Sequence, residues 1–127
     1  MSDRLTIQLE AATNGFAPGE TVSGTLSWNL PKPAQNIELR LVWYTNGKGD
    51  RDVEIIESAV FSIEELSGTR PFKFTLPPGP YSFSGRNISL LWALELFAHG
   101  SPETTQAGIV VSPVRRELLL YPADESA

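Results

Sequence analysis

The run ISLLWALELFA, residues 88–98, is the most apolar in the chain, and whether it is strand or helix decides the fold. Read with a period of two, it puts Ile88, Leu90, Trp92, Leu94 and Leu96 on one face. Ser89, Leu91, Ala93, Glu95 and Phe97 fall on the other. Read as a helix, it lacks the polar stripe that an amphipathic helix turns to water. The flanking prolines and the aromatic residues favour a strand, with the helix as the alternative. Since the second face is itself mostly apolar, such a strand needs cover on that side too, or it leaves a surface for a partner.

The sequence on either side of this run supports the strand reading. Leu5, Ile7 and Leu9 alternate with Thr6 and Gln8, and Val22, Leu26 and Trp28 alternate with Ser23, Thr25 and Ser27. Gly24 falls on the apolar side of that second run, where a missing side chain lets a neighbouring strand approach closely. In IELRLVWYT, Ile37, Leu39, Leu41 and Trp43 share a face, opposite Glu38, Arg40, Val42 and Tyr44. TNGKGD, residues 45–50, reads as a turn. VEIIESAVF, residues 53–61, reads as a strand with an irregularity near Ser58, and PFKFTL points Phe72, Phe74 and Leu76 inward. LPPGPYSFSG, residues 76–85, is too rich in proline for helix or central strand and reads as an extended connection. GIVVS, residues 108–112, is a further strand, VRRELLLYP a last short element, and residues 122–127 a frayed tail. Seven or eight strands with Gly/Pro turns predict an all-β, immunoglobulin-like antiparallel β-sandwich, one domain over 1–127 with its core in 4–121.

Composition narrows the function classes. The chain has 127 residues, 41% hydrophobic and 20% charged, which suits a folded domain. A net charge of −5 argues against a nucleic-acid partner, which would require a basic field. Without cysteine there is no disulfide or zinc–thiolate chemistry. No run approaches the ~20 apolar residues of a membrane helix, and the amino-terminal MSDRLTIQLE does not read as a signal peptide, so a cytoplasmic address without membrane insertion is expected.

The ordered set FAPGETVSGTL, FKFTLPPGPYSFSG and ISLLWALEL resembles the arrestin amino-terminal domain. The matching residues are Pro18, Gly19, Glu20, Val22, Gly24, Phe72, Phe74, Leu76, Pro77, Pro80, Ser82, Phe83 and Trp92, within residues 5–111. The resemblance implies an arrestin-like sandwich used as a non-enzymatic adaptor or scaffold, in a family whose members bind receptors, trafficking cargo or ubiquitin-ligase partners. Three departures stand out. Arrestins usually pair two sandwiches, and only one is read here. Arg4 is the only basic residue near the first strand, where phosphate-sensing members carry adjacent lysines. PPGPY, residues 77–81, has one residue too many for a PPxY ligase-recruiting motif.

No catalytic constellation, cofactor motif or metal site emerges. His99, the only histidine, reads as an exposed turn residue, and Asp50, Asp52 and Glu54 as a solvated hairpin end rather than a cation site. Trp28, Trp43 and Trp92 read as core packing; the other reading makes them a platform for a small molecule or carbohydrate. Val42, Tyr44, Leu91 and Phe97 are the candidate protein contacts, with Leu118, Leu119 and Leu120 at a second or covering surface. The carboxy-terminal segment either covers that apolar face or leaves it to a partner protein, which for a lone sandwich includes a second copy of the chain.

Overall fold

The computed structural model describes residues 4–47 and 51–119. Ten strands follow in order: β1 (Leu5–Leu9), β2 (Gly15–Phe16), β3 (Thr21–Asn29), β4 (Asn36–Gly47) and β5 (Val53–Ser62). β6 (Ser67–Thr75), β7 (Phe83–Ser84), β8 (Ile88–His99), β9 (Thr104–Val111) and β10 (Leu118–Leu119) complete the set. The decisive run at 88–98 is a strand, and it extends to His99.

One sheet is three-stranded, in the order β1-β3-β6. The larger sheet runs β10-β7-β8-β4-β5, with β9 also on β8 and β2 on β9. The second edge of β8 is shared: β7 pairs with Leu90 and Ser89, and β9 with Trp92 to Phe97. Most pairs are antiparallel, but β2 runs parallel to β9 and β10 parallel to β7.

Alternation explains the layers. Val22, Leu26, Trp28, Phe72 and Phe74 point from the small sheet onto Ile37, Leu39, Leu41, Leu90, Trp92, Leu94 and Leu96 of the large one. Ile88 keeps the expected face but is not buried: at the start of β8 it is 47% exposed. Trp28 and Trp92 are in the core, and each indole N–H donates to a carbonyl, that of Glu65 at 3.0 Å and that of Pro80 at 2.9 Å. Trp43 is half-buried against the same core.

The turn at Pro18 to Glu20 works as its residues predict. Gly19 has φ +85°, and its amide donates to the Leu76 carbonyl at 3.1 Å, while Leu76 donates back to Glu20 at 2.9 Å. This exchange ties the PGE turn to the end of the phenylalanine-rich strand. Gly24 permits the predicted close approach: a Cβ there would lie 2.1 Å from the Gln8 carbonyl oxygen. In the connection at 76–85, Ser82 is buried and its hydroxyl accepts the Val111 amide at 2.9 Å. Its own amide donates to the Val111 carbonyl at 2.6 Å, and its carbonyl accepts from Leu118 at 3.3 Å.

Two elements are longer than the sequence suggests, β6 beginning at Ser67 and β9 at Thr104. The irregularity in β5 falls at Ile56 rather than Ser58. Leu41 pairs with Glu57 and Val42 with Ile55, so Ile56 is the extra residue of a bulge.

Candidate functional site

The outward face of the large sheet brings the predicted contact residues together. Across β4 and β8 the register is unbroken: Tyr44 lies opposite Leu91, Val42 opposite Ala93, Arg40 opposite Glu95 and Glu38 opposite Phe97. The neighbouring strand adds Val53 beside Tyr44 and Ile55 beside Val42. One end of this face is therefore apolar and the other polar.

At the apolar end, Val53 is 53% and Ile55 48% exposed, with Tyr44 and Leu91 half-buried behind them. The Arg51 guanidinium sits 4.2 Å above the Tyr44 ring. Val42 is a correction. It was expected as a contact residue, yet it is fully buried, as is its neighbour Ala93. Both are small side chains on interior strands of the sheet, and the larger residues around them on the same face shield them from water. Val53 and Ile55 were not among the expected contacts, although their alternation with Glu54 put them on one side of β5.

At the polar end, the Glu38 carboxylate is the hub. Arg40 Nε donates to its Oε2 at 2.7 Å, and His99 Nε2 lies 2.7 Å from its Oε1. The Arg40 hydrogen bond holds the Glu38 carboxyl below the ordinary carboxylate range. Partial burial opposes that shift, and His99 adds to it. Phe97 is half-buried between them, its ring 4.5 Å below the Arg40 guanidinium and 5.0 Å, edge-on, from the His99 imidazole. His99 is thus not a free turn residue. It closes β8 and belongs to this cluster, which the β4–β8 register assembles from residues 61 apart. A histidine beside a carboxylate supplies two of the three members of a catalytic triad, but among the described residues its only side-chain hydrogen bond is to Glu38 and none is to a nucleophile. The arrangement fixes Phe97 and Arg40 in place.

As far as Leu119, the carboxy-terminal segment does not lie over this face. Leu118 and Leu119 pair with Phe83 and Ser84 at the far edge of the large sheet, where Leu118 is half-buried and Leu119 63% exposed. Leu120, Asp50 and the tail 122–127 lie outside the described residues. The segment is held by a clasp: the Arg115 guanidinium grips the Glu20 carboxylate with both Nε, at 3.1 Å, and Nη2. Glu20 also accepts the Ala17 amide at 2.7 Å, and Ser112 Oγ donates to the Arg116 carbonyl at 2.6 Å. Hydrogen bonding to Arg115, then to Ala17, holds the Glu20 carboxyl down at about 2. Asp52 is engaged through its backbone with Thr45, and among the described residues no group of three or more His, Asp or Glu could hold a metal ion. No described helix is long and apolar enough to cross a membrane.

No family model and no curated protein matches the chain. Among solved structures, the chain is similar to Spo0M, a sporulation control protein from Bacillus subtilis. The TM-score is 0.61 and the sequence identity 24%, over 86% of this chain and 49% of Spo0M. The chain thus spans about half the length of that protein. The Spo0M structure is arrestin-like, and the likeness shows the fold of this chain: an all-β, arrestin-like β-sandwich.

Proposed function

We propose that the chain is a non-enzymatic, cytoplasmic arrestin-like adaptor that binds another protein through the outward face of its large sheet. One observation carries the reading: Tyr44, Leu91, Val53 and Ile55 converge into an apolar end on that face, and the carboxy-terminal strand sits at the edge rather than on top. Exposed apolar groups rimmed by charge favour a partner that buries them, and half-buried aromatic side chains make efficient anchors. The adjoining Glu38–Arg40–His99 cluster supplies a polar rim that orients what docks there. Spo0M is a control protein, which accords with a regulatory rather than a metabolic role for a chain of the same fold.

A photo-crosslinking residue placed at position 91 tests this in cells. The expected result is a discrete protein adduct from position 91 and none from a control at Thr25, on the exposed face of the small sheet. Equal labelling from both positions, or none from position 91, would overturn the reading.

A further inference from the structure

We propose that the free edge of β5 is a docking strand for an extended segment of a partner, one that alternates apolar with basic side chains. The inference rests on the reading of this chain as a protein-binding module. β5 is ten residues long and, among the described residues, pairs only with β4. Its other edge makes no backbone hydrogen bond among the described residues. A row of unsatisfied amides and carbonyls is a template for another strand, and natural sheets usually block it with lysine, proline or a covering loop. The small sheet follows that rule, since its edge strand β6 carries Arg70, Pro71 and Lys73. On β5 the bulge at Ile56 interrupts the edge, but beyond it Ser58, Ala59, Val60, Phe61 and Ser62 form a stretch without charge or proline.

The side chains around this stretch define what fits. The bulge puts Val60 on the same outward face as Val53 and Ile55, and Val60 is 59% exposed. Three β-branched side chains thus line one face of a free edge, where alternate residues of an added strand would meet them. The charges nearby are acidic: Asp52, Glu54 and Glu57 at one end, Glu64 and Glu65 at the other, none in an ion pair among the described residues. Of the basic side chains beside the strand, Arg51 is stacked on Tyr44, and Arg40, across from Ser58, is held by Glu38. Basic side chains on the incoming segment would meet these carboxylates, whose field also speeds the encounter.

A second copy is the rival occupant, and it fits less well. Antiparallel self-pairing of β5 centred on Ile55 and Ile56 sets Glu54 against Glu57 of its twin. Self-pairing centred on Val60 brings Glu57 next to the twin's position 64, also glutamate, so like charges approach in either register. The exposed apolar side chains are also few against the ~800 Å² and roughly 20–30 residues per partner of a stable dimer. The chain's own ADESA tail is acidic and has the wrong charge for this edge.

Two synthetic decapeptides serve as probes, one alternating valine with lysine and the other valine with glutamate. Amide hydrogen exchange on the full chain is the readout. The valine–lysine peptide should slow exchange within residues 58–62 by about tenfold at saturation, less so in high salt, and the valine–glutamate peptide should leave it unchanged. The surface variant Glu57→Lys with Val60→Lys should lose this protection and keep its fold. Equal protection by both peptides, or none by either, overturns the inference. So does concentration-dependent protection of the same amides without peptide, which would identify a second copy as the occupant. Protection confined to the Tyr44–Leu91 face would also overturn the edge inference while sparing the adaptor reading, which the position-91 crosslink judges separately.

Discussion

Ser82 shows how one side chain can join three segments. It accepts the Val111 amide while its own backbone pairs with Val111 and Leu118, so the proline-rich connection is fastened to β9 and β10 at one residue. Replacing it with alanine leaves a buried amide without a partner. The expected cost for Ser82→Ala is about 1–3 kcal/mol, read from the urea midpoint. The sequence marked Ser82 only as part of a resemblance, because its partner is 29 residues away and unreadable locally. Glu20 is a second such case. Its carboxyl is held down at about 2 from an ordinary value of 4.5, so its contribution is complete above pH 4.5 and is lost as the pH falls toward 2. The parent protein should therefore lose stability more steeply than Glu20→Gln between those limits, in thermal melts followed by circular dichroism. Equal slopes would mean that the clasp with Arg115 does not form in solution.

At the level of elements, alternation was legible wherever a strand crossed the sandwich with one face on the core. β1, β3, β4 and β8 could be placed from their apolar spacing alone. The two-residue strands β2, β7 and β10 carry no period, since they exist only through the neighbours they meet. The bulge was misplaced for a physical reason: an inserted residue leaves the strand apolar on both sides of it, so Ile55 and Ile56 in succession look no different from a buried pair. Gly24 was legible because a glycine on the apolar side of a strand marks a place where another backbone comes close. Gly24→Ala would press a methyl group against the Gln8 carbonyl, which is backbone and cannot rotate away. The expected loss is about 1–3 kcal/mol, with β1 amides exchanging faster than those of β8.

For the molecule as a whole, the candidate site was half legible. That β4 and β8 are neighbours is common in immunoglobulin-like topologies, but the register that sets Tyr44 opposite Leu91 is not written in either strand alone. Exposure did not follow, because it depends on which strands flank a residue: Val42 is buried and Val53 is open, though both are valines on the same face. A pair of variants separates the two situations. Tyr44→Glu with Leu91→Glu should fold with a melting temperature within a few degrees of the parent, whereas Val42→Glu should be destabilised by more than about 3 kcal/mol, since it buries a charge without a partner. The parallel pairings at the two ends of the chain have a further consequence. The strand at residues 15–16 waits for residues 110–111, and the one at 83–84 waits for 118–119. During synthesis the emerging polypeptide therefore carries residues 15–16 unpaired until residues 110–111 clear the ribosome, and an open outer edge at residues 83–84 until 118–119 follow. In that interval the nascent chain is a natural client for chaperones, however stable the finished sandwich becomes.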